Sequence, residues 1–135
     1  MRERYAFDYA VIRLVPRVER GECVNIGVVL LCRQCGYLGM RLAPDPARIQ
    51  ALWPDVDIEV IDRQLDGLRQ VCDGDPSGGP IAQLSQAERF HWIVSPASTV
   101  IQPSPVHSGL CDDPEDALDT LMAEMVFPPQ SQTGD

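Results

Sequence analysis

The residues of this sequence best equipped for chemistry fall into three groups. The first is Cys32-x-x-Cys35-Gly36, two thiols at the spacing of a zinc-ribbon knuckle, in which a hairpin turn aims both thiolates at one metal. A tetrahedral site needs two further ligands, and His107-x-x-x-Cys111 is the other closely spaced pair. A hairpin turn whose Cys32 fills a strand position is the simpler account, so no metal or other cofactor is expected.

The second group is Arg13, Arg17, Arg20, Glu22 and Asn25, which gathers guanidinium forks and an amide around one short stretch. Such forks grip a carboxylate or phosphate in bidentate fashion, so the set reads as a ligand or partner site before a catalytic one. Arg13 is the informative member. Strand alternation places it on one face with Tyr9, Val11 and Val15, where a charge needs a partner or a ligand. An internal salt bridge to an acid on a covering helix is the simpler account of it. Asn25 and Gly27 equally suit a β-bulge or turn.

The third is His107, in an extended Pro-rich loop that ends at Gly109, and it is the one candidate for catalysis. A general base needs an orienting acid and a substrate proton within reach, and no neighbour in sequence supplies them. A structural loop histidine is the simpler account, and His91, between Phe90 and Trp92, reads as a packing or surface residue. There is no Walker loop, nucleophile elbow or G-x-G-x-x-G, which weighs against the common enzyme classes.

The elements that must position these residues are legible in outline. Tyr5 to Val15 is rich in aromatic and β-branched residues and stops at Pro16, as a strand would. Val24 to Cys32 is almost wholly apolar and reads as a central strand covered on both faces. The charged stretch Arg17 to Glu22 between them suits a hairpin loop. Tyr37 to Ala43 alternates, with Leu38, Met40 and Leu42 on one face, and pairs back through a turn at Gly36. Asp45-Pro46 predicts a short helix to about Trp53, and Asp57 to Cys72 an amphipathic helix with Ile58, Ile61, Leu65, Leu68 and Cys72 on its stripe. Gly- and Pro-rich turn chemistry fills Asp73 to Pro80.

Ser85-Gln86-Ala87-Glu88 has the spacing of a capping box, which predicts a third helix to about Val94. Ser98 to Gln102 suits an edge strand, and Pro103-Ser104-Pro105 keeps the chain extended beyond it. Asp113-Pro114 opens a last helix to about Val126, with Leu118, Leu121, Met122 and Met125 inward. The fold class is therefore α+β: an antiparallel sheet of three to four strands, built from an N-terminal hairpin and meander, with three to four helices packed on it. Residues 1–127 form one such domain and 128–135 a disordered tail.

Composition bounds the partners. The net charge is −9, and it is unevenly spread. Up to Arg48 there are eight arginines against five acids; from Ile49 onward there are three against fifteen. Such an acidic surface repels the backbone of duplex nucleic acid, while leaving room for a local arginine site near the N-terminus. No apolar run is long enough to span a membrane and no secretory leader is visible, so a cytoplasmic protein without membrane association is expected. Five cysteines, an odd number, then read as reduced thiols.

The segment Tyr9-Ala10-Val11-Ile12-Arg13-Leu14-Val15-Pro16-Arg17-Val18-Glu19-Arg20-Gly21-Glu22-Cys23-Val24-Asn25-Ile26-Gly27-Val28-Val29-Leu30 resembles the opening of the DUF3037 family, a bacterial domain of unknown function. Arg89-Phe90, Ser104 to Leu110 and Asp113-Pro114-Glu115 with Leu118 resemble its second half. Members are often encoded beside a HipA-like kinase, so the resemblance implies an accessory role with such a kinase as candidate partner.

Two functions follow as expectations. One is a non-catalytic module that binds another protein through the arginine-bearing hairpin or an acidic helical face. The alternative is a small enzyme or ligand-binding domain that holds a nucleotide or phosphorylated substrate with Arg13, Arg17, Glu22, Asn25 and His107. The oligomeric state is left open by the sequence.

Overall fold

The computed structural model describes residues 4–96 and 100–128. In chain order the elements are β1 (Tyr5–Leu14), β2 (Val24–Cys32), β3 (Tyr37–Leu42), α1 (Pro46–Leu52), α2 (Ile58–Asp73), α3 (Gln86–Ile93), β4 (Ile101–Pro103), β5 (His107–Cys111) and α4 (Pro114–Met125). The sheet order is β3-β2-β1-β4, with β5 also paired to β1, and every pairing is antiparallel. The α+β antiparallel class is thus the observed one, with a sheet of five strands.

The additional strand corrects the reading of His107. It lies on β5, opposite Tyr9, and not in a loop. The signal was masked by Gly109, a poor strand former whose missing side chain makes room for the Phe7 ring. A Cβ there would fall 2.7 Å from Phe7 Cζ. The expected strand from Ser98 begins among the described residues at Ile101; residues 97–99 lie outside them, as does 129–135 of the expected tail.

β4 and β5 share one edge of β1, opposite Ile12–Leu14 and Tyr5–Tyr9 respectively. Ser104 sits between them, 3% exposed. Its backbone N–H donates to Val11 O at 2.8 Å and its Oγ accepts from Val11 N at 2.8 Å. The Oγ also donates to Pro105 O at 2.9 Å. One serine thereby satisfies both backbone groups of Val11 at the break between the two strands.

Each face of the sheet carries its own core. Ala10, Ile12, Leu14, Val24, Ile26, Val29 and Leu31 join α1, α2 and α3 on one side. Phe7, Val28, Leu30 and Cys32 join Leu118, Leu121 and Met122 of α4 on the other. Strict alternation along β2 would send Val24, Ile26, Val28 and Leu30 to the same side. The register instead shifts between Ile12 and Arg13, so that Ile12 opposes Gly27 while Arg13 opposes Asn25. The extra residue, Ile26, is a bulge that inverts the facing of the rest of the strand.

Helix ends follow the caps. Asp45, Asp57 and Asp113 accept from backbone N–H groups of α1, α2 and α4, and Ser85 with Glu88 closes a capping box on α3. α2 ends at Gly74 with φ 68°. Ile61, Leu65 and Cys72 of the α2 stripe are buried, whereas Met125 on α4 is 36% exposed and not inward as expected. Helical contacts to the sheet concentrate on β2 and β3: α2 on β3, α3 on both, α4 on both. The half of the sheet formed by β1, β4 and β5 is therefore the less covered half.

Candidate functional site

The arginine stretch divides into two neighbouring sites. Arg13 stands in a row across three strands, opposite Asn25 on β2 and Gln102 on β4, on the face covered by α4. Asn25 Nδ2 donates to Met125 O at 2.8 Å, and Arg48 Nη1 from α1 donates to Val126 O at 2.9 Å. Two side chains thus satisfy carbonyls at the electronegative end of α4. Arg13 Nε is buried with no hydrogen-bond partner. The expected internal salt bridge of Arg13 is not formed with any described residue. The first-turn acids Glu115 and Asp116 of α4 are at the far end of the helix, and Glu124 in its last turn is exposed.

Arg17, Arg20 and Glu22 lie in the β1–β2 connection, where Val18–Arg20 form a single 3₁₀ turn closed by Gly21 at φ 71°. Arg20 Nε pairs with Glu22 Oε1, both exposed. Val18 at the tip is 60% exposed. Beneath the turn is a cleft of about 530 Å³ lined by Arg17, Arg20, Glu22, Trp53 and Asp55, among others. Trp53 and Asp55 come from the α1–α2 connection, more than thirty residues away in the chain. Sequence reading missed them, and Arg48, because nothing local joins the two connections. The one available signal was an aromatic residue placed in a Pro-containing turn, Trp53-Pro54-Asp55.

His107 joins neither group. Its ring lies 5.5 Å from that of Tyr9, tilted by 36°. Tyr9 precedes Arg13 by four residues on the same strand, a separation of about 13 Å. Arg13, Arg17 and His107 therefore do not converge on one substrate-sized point, and among the described residues no acid is hydrogen-bonded to the His107 ring.

Of the four candidate metal ligands, the structure brings Cys32, Cys35 and Cys111 together but not His107. All five cysteines are free thiols. β5 brings Cys111 to the buried Cys32, and the turn brings Cys35 to the same thiol, while His107 occupies the opposite end of β5. Hydrogen bonding to Cys32 pushes the Cys35 thiol up to about 11, and burial, then Cys32, raises Cys111. Among the described residues no group of three or more His, Cys, Asp or Glu is arranged to hold a metal ion. The contacts of Cys35 and Cys111 with the buried Cys32 suit a packed hairpin end.

A family model described as a protein of unknown function, DUF3037, matches residues 9–126. This chain belongs to the DUF3037 family. The match includes both arginine sites, the bulge at Ile26 and β5, so these features sit within the family's domain and not on an appendage. No curated protein and no solved structure matches this DUF3037 chain. None of its described helices is long and apolar enough to cross a membrane.

Proposed function

We propose that this DUF3037 protein is a non-catalytic module that docks another protein through its β1–β2 connection. The observation that carries the reading is Val18, 60% exposed at a tip flanked by Arg17 and Arg20 above the Trp53 cleft. An exposed apolar tip between guanidinium groups suits a partner segment that offers an acid beside an apolar pocket. Arg20 is paired with Glu22, which leaves Arg17 as the guanidinium available to a partner's acid. The candidate partner is a HipA-like kinase, and the expected setting is a bacterial cytoplasm. Free thiols suit that compartment. Duplex nucleic acid and membranes are not expected partners, given the net charge and the helix lengths.

The test is direct binding to that kinase by calorimetry. Arg17→Ala with Arg20→Ala should weaken binding by about 2 kcal/mol or more, and Val18→Asp by a similar amount. Unchanged affinity in both variants would sink the hairpin reading.

The same cleft favours one second reading, a nucleotide or other phosphorylated ligand stacked on Trp53 and gripped by Arg17. It would be a smaller site than the one expected from sequence, without Arg13, Asn25 or His107. A thermal-shift screen of nucleotides and phosphorylated metabolites separates the two readings: stabilisation lost in Arg17→Ala supports the ligand, and no stabilisation removes it.

A further inference from the structure

We propose that the cleft between α2, the end of α3 and β4 is a binding site for a small uncharged ring compound. Because the helices crowd toward β2 and β3, Ile12 of β1 and Ile101 of β4 form the floor of a cavity of about 620 Å³. That volume lies within the range of about 300–1,000 Å³ typical of small-molecule sites. The cavity shares no lining residue with the hairpin cleft.

Three features define the ligand class. First, none of the described lining residues carries a charge, in a protein with eleven basic and twenty acidic residues. An ionic ligand would lose its hydration there without gaining a counter-charge, so a neutral one is selected. Second, Trp92 borders the cavity and is 45% exposed, which offers a flat surface against which a ring can stack. The amides of Gln64 and Gln70 line the same cavity and supply donors and acceptors to orient a polar substituent.

Third, the α2 wall is bare at Gly67. Glycine is among the poorest residues for a helix interior. A Cβ at Gly67 would meet nothing within 4 Å, so packing does not require the glycine. Gly78 at the same cavity is the contrast, since its Cβ would fall 2.8 Å from that of Ala82. The helix thus gives up stability at a cavity-lining α2 position where a side chain would have open space.

The full chain is titrated with N-phenylnaphthylamine, a neutral fluorophore that accepts energy from tryptophan. The expected result is saturable binding at a single site, with transfer that falls sharply in Trp92→Phe while Trp53 remains. Gly67→Leu, which fills the wall, should weaken binding by about tenfold or more while its melting temperature is maintained. Anilinonaphthalene sulfonate, of similar shape but anionic, should bind more weakly. Non-saturating fluorescence, or equal affinity in a folded Gly67→Leu, would overturn the site. Sulfonate binding as tight as the neutral probe would overturn the ligand class.

Discussion

Arg13 on β1 and Asn25 on β2 are directly opposed across the ladder beside the bulge at Ile26, and only one of them is satisfied. The Asn25 amide donates to Met125 O at 2.8 Å, whereas Arg13 Nε is buried without a partner. The acid at that helix end, Glu124, is exposed and forms no ion pair with Arg13 among the described residues. The orphaned nitrogen is the price the sheet accepts for an arginine at this register.

Arg13→Met tests that relationship. A buried donor without a partner costs about 1–3 kcal/mol, and methionine keeps the apolar stem without it. Denaturant unfolding of the isolated protein should show stability unchanged or raised by about 1 kcal/mol. A loss of that size or more would mean that the guanidinium has a partner after all.

Gly27→Ala probes the bulge. An added Cβ would lie 2.6 Å from Arg41 O and 2.5 Å from Leu42 Cδ2. The leucine can turn away, but the backbone carbonyl of β3 cannot without disturbing the ladder. A loss of about 1–3 kcal/mol is expected by thermal or chemical unfolding, and a neutral substitution would show that β2 and β3 separate easily there.

Ser104→Ala removes the bridge between β4 and β5. Val11 N would lose its acceptor at a buried position, at a cost of about 1–3 kcal/mol. Hydrogen exchange should report the loss first at the Val11 amide. Unaltered protection there would show that the Oγ contact is dispensable.

Cys72 makes stability fall in alkali. Burial pushes its thiol from an ordinary 9.0 up to about 12. Below pH 9 the thiol is neutral in both states, so its contribution is complete. Between pH 9 and about 12 the unfolded chain ionises Cys72 while the native one keeps the proton, so stability falls by up to about 1.4 kcal/mol per pH unit. Cys72→Val should have a shallower alkaline slope of unfolding free energy by that amount; parallel slopes would rule the linkage out.

Signals that act between near neighbours in the chain determined much of this protein from sequence alone. Caps at Asp45, Asp57, Ser85 and Asp113 set the helix starts, and the apolar run of β2 showed a strand covered on both faces. Those signals depend on hydrogen bonds and periodicities spanning a few residues. What only the tertiary structure decided depends on pairing across long loops. β5 pairs with β1 about a hundred residues earlier, and Gly109 leaves room for the Phe7 ring opposite it. The bulge at Ile26 reverses which residues face α4, and so sets Asn25 and Arg13 together under the carbonyl end of that helix. The hairpin cleft is completed by Trp53 from another connection. A strand's register and facing are fixed by the partner it meets, so residue types could name Arg13, Arg17 and His107 as candidates but not place them relative to one another.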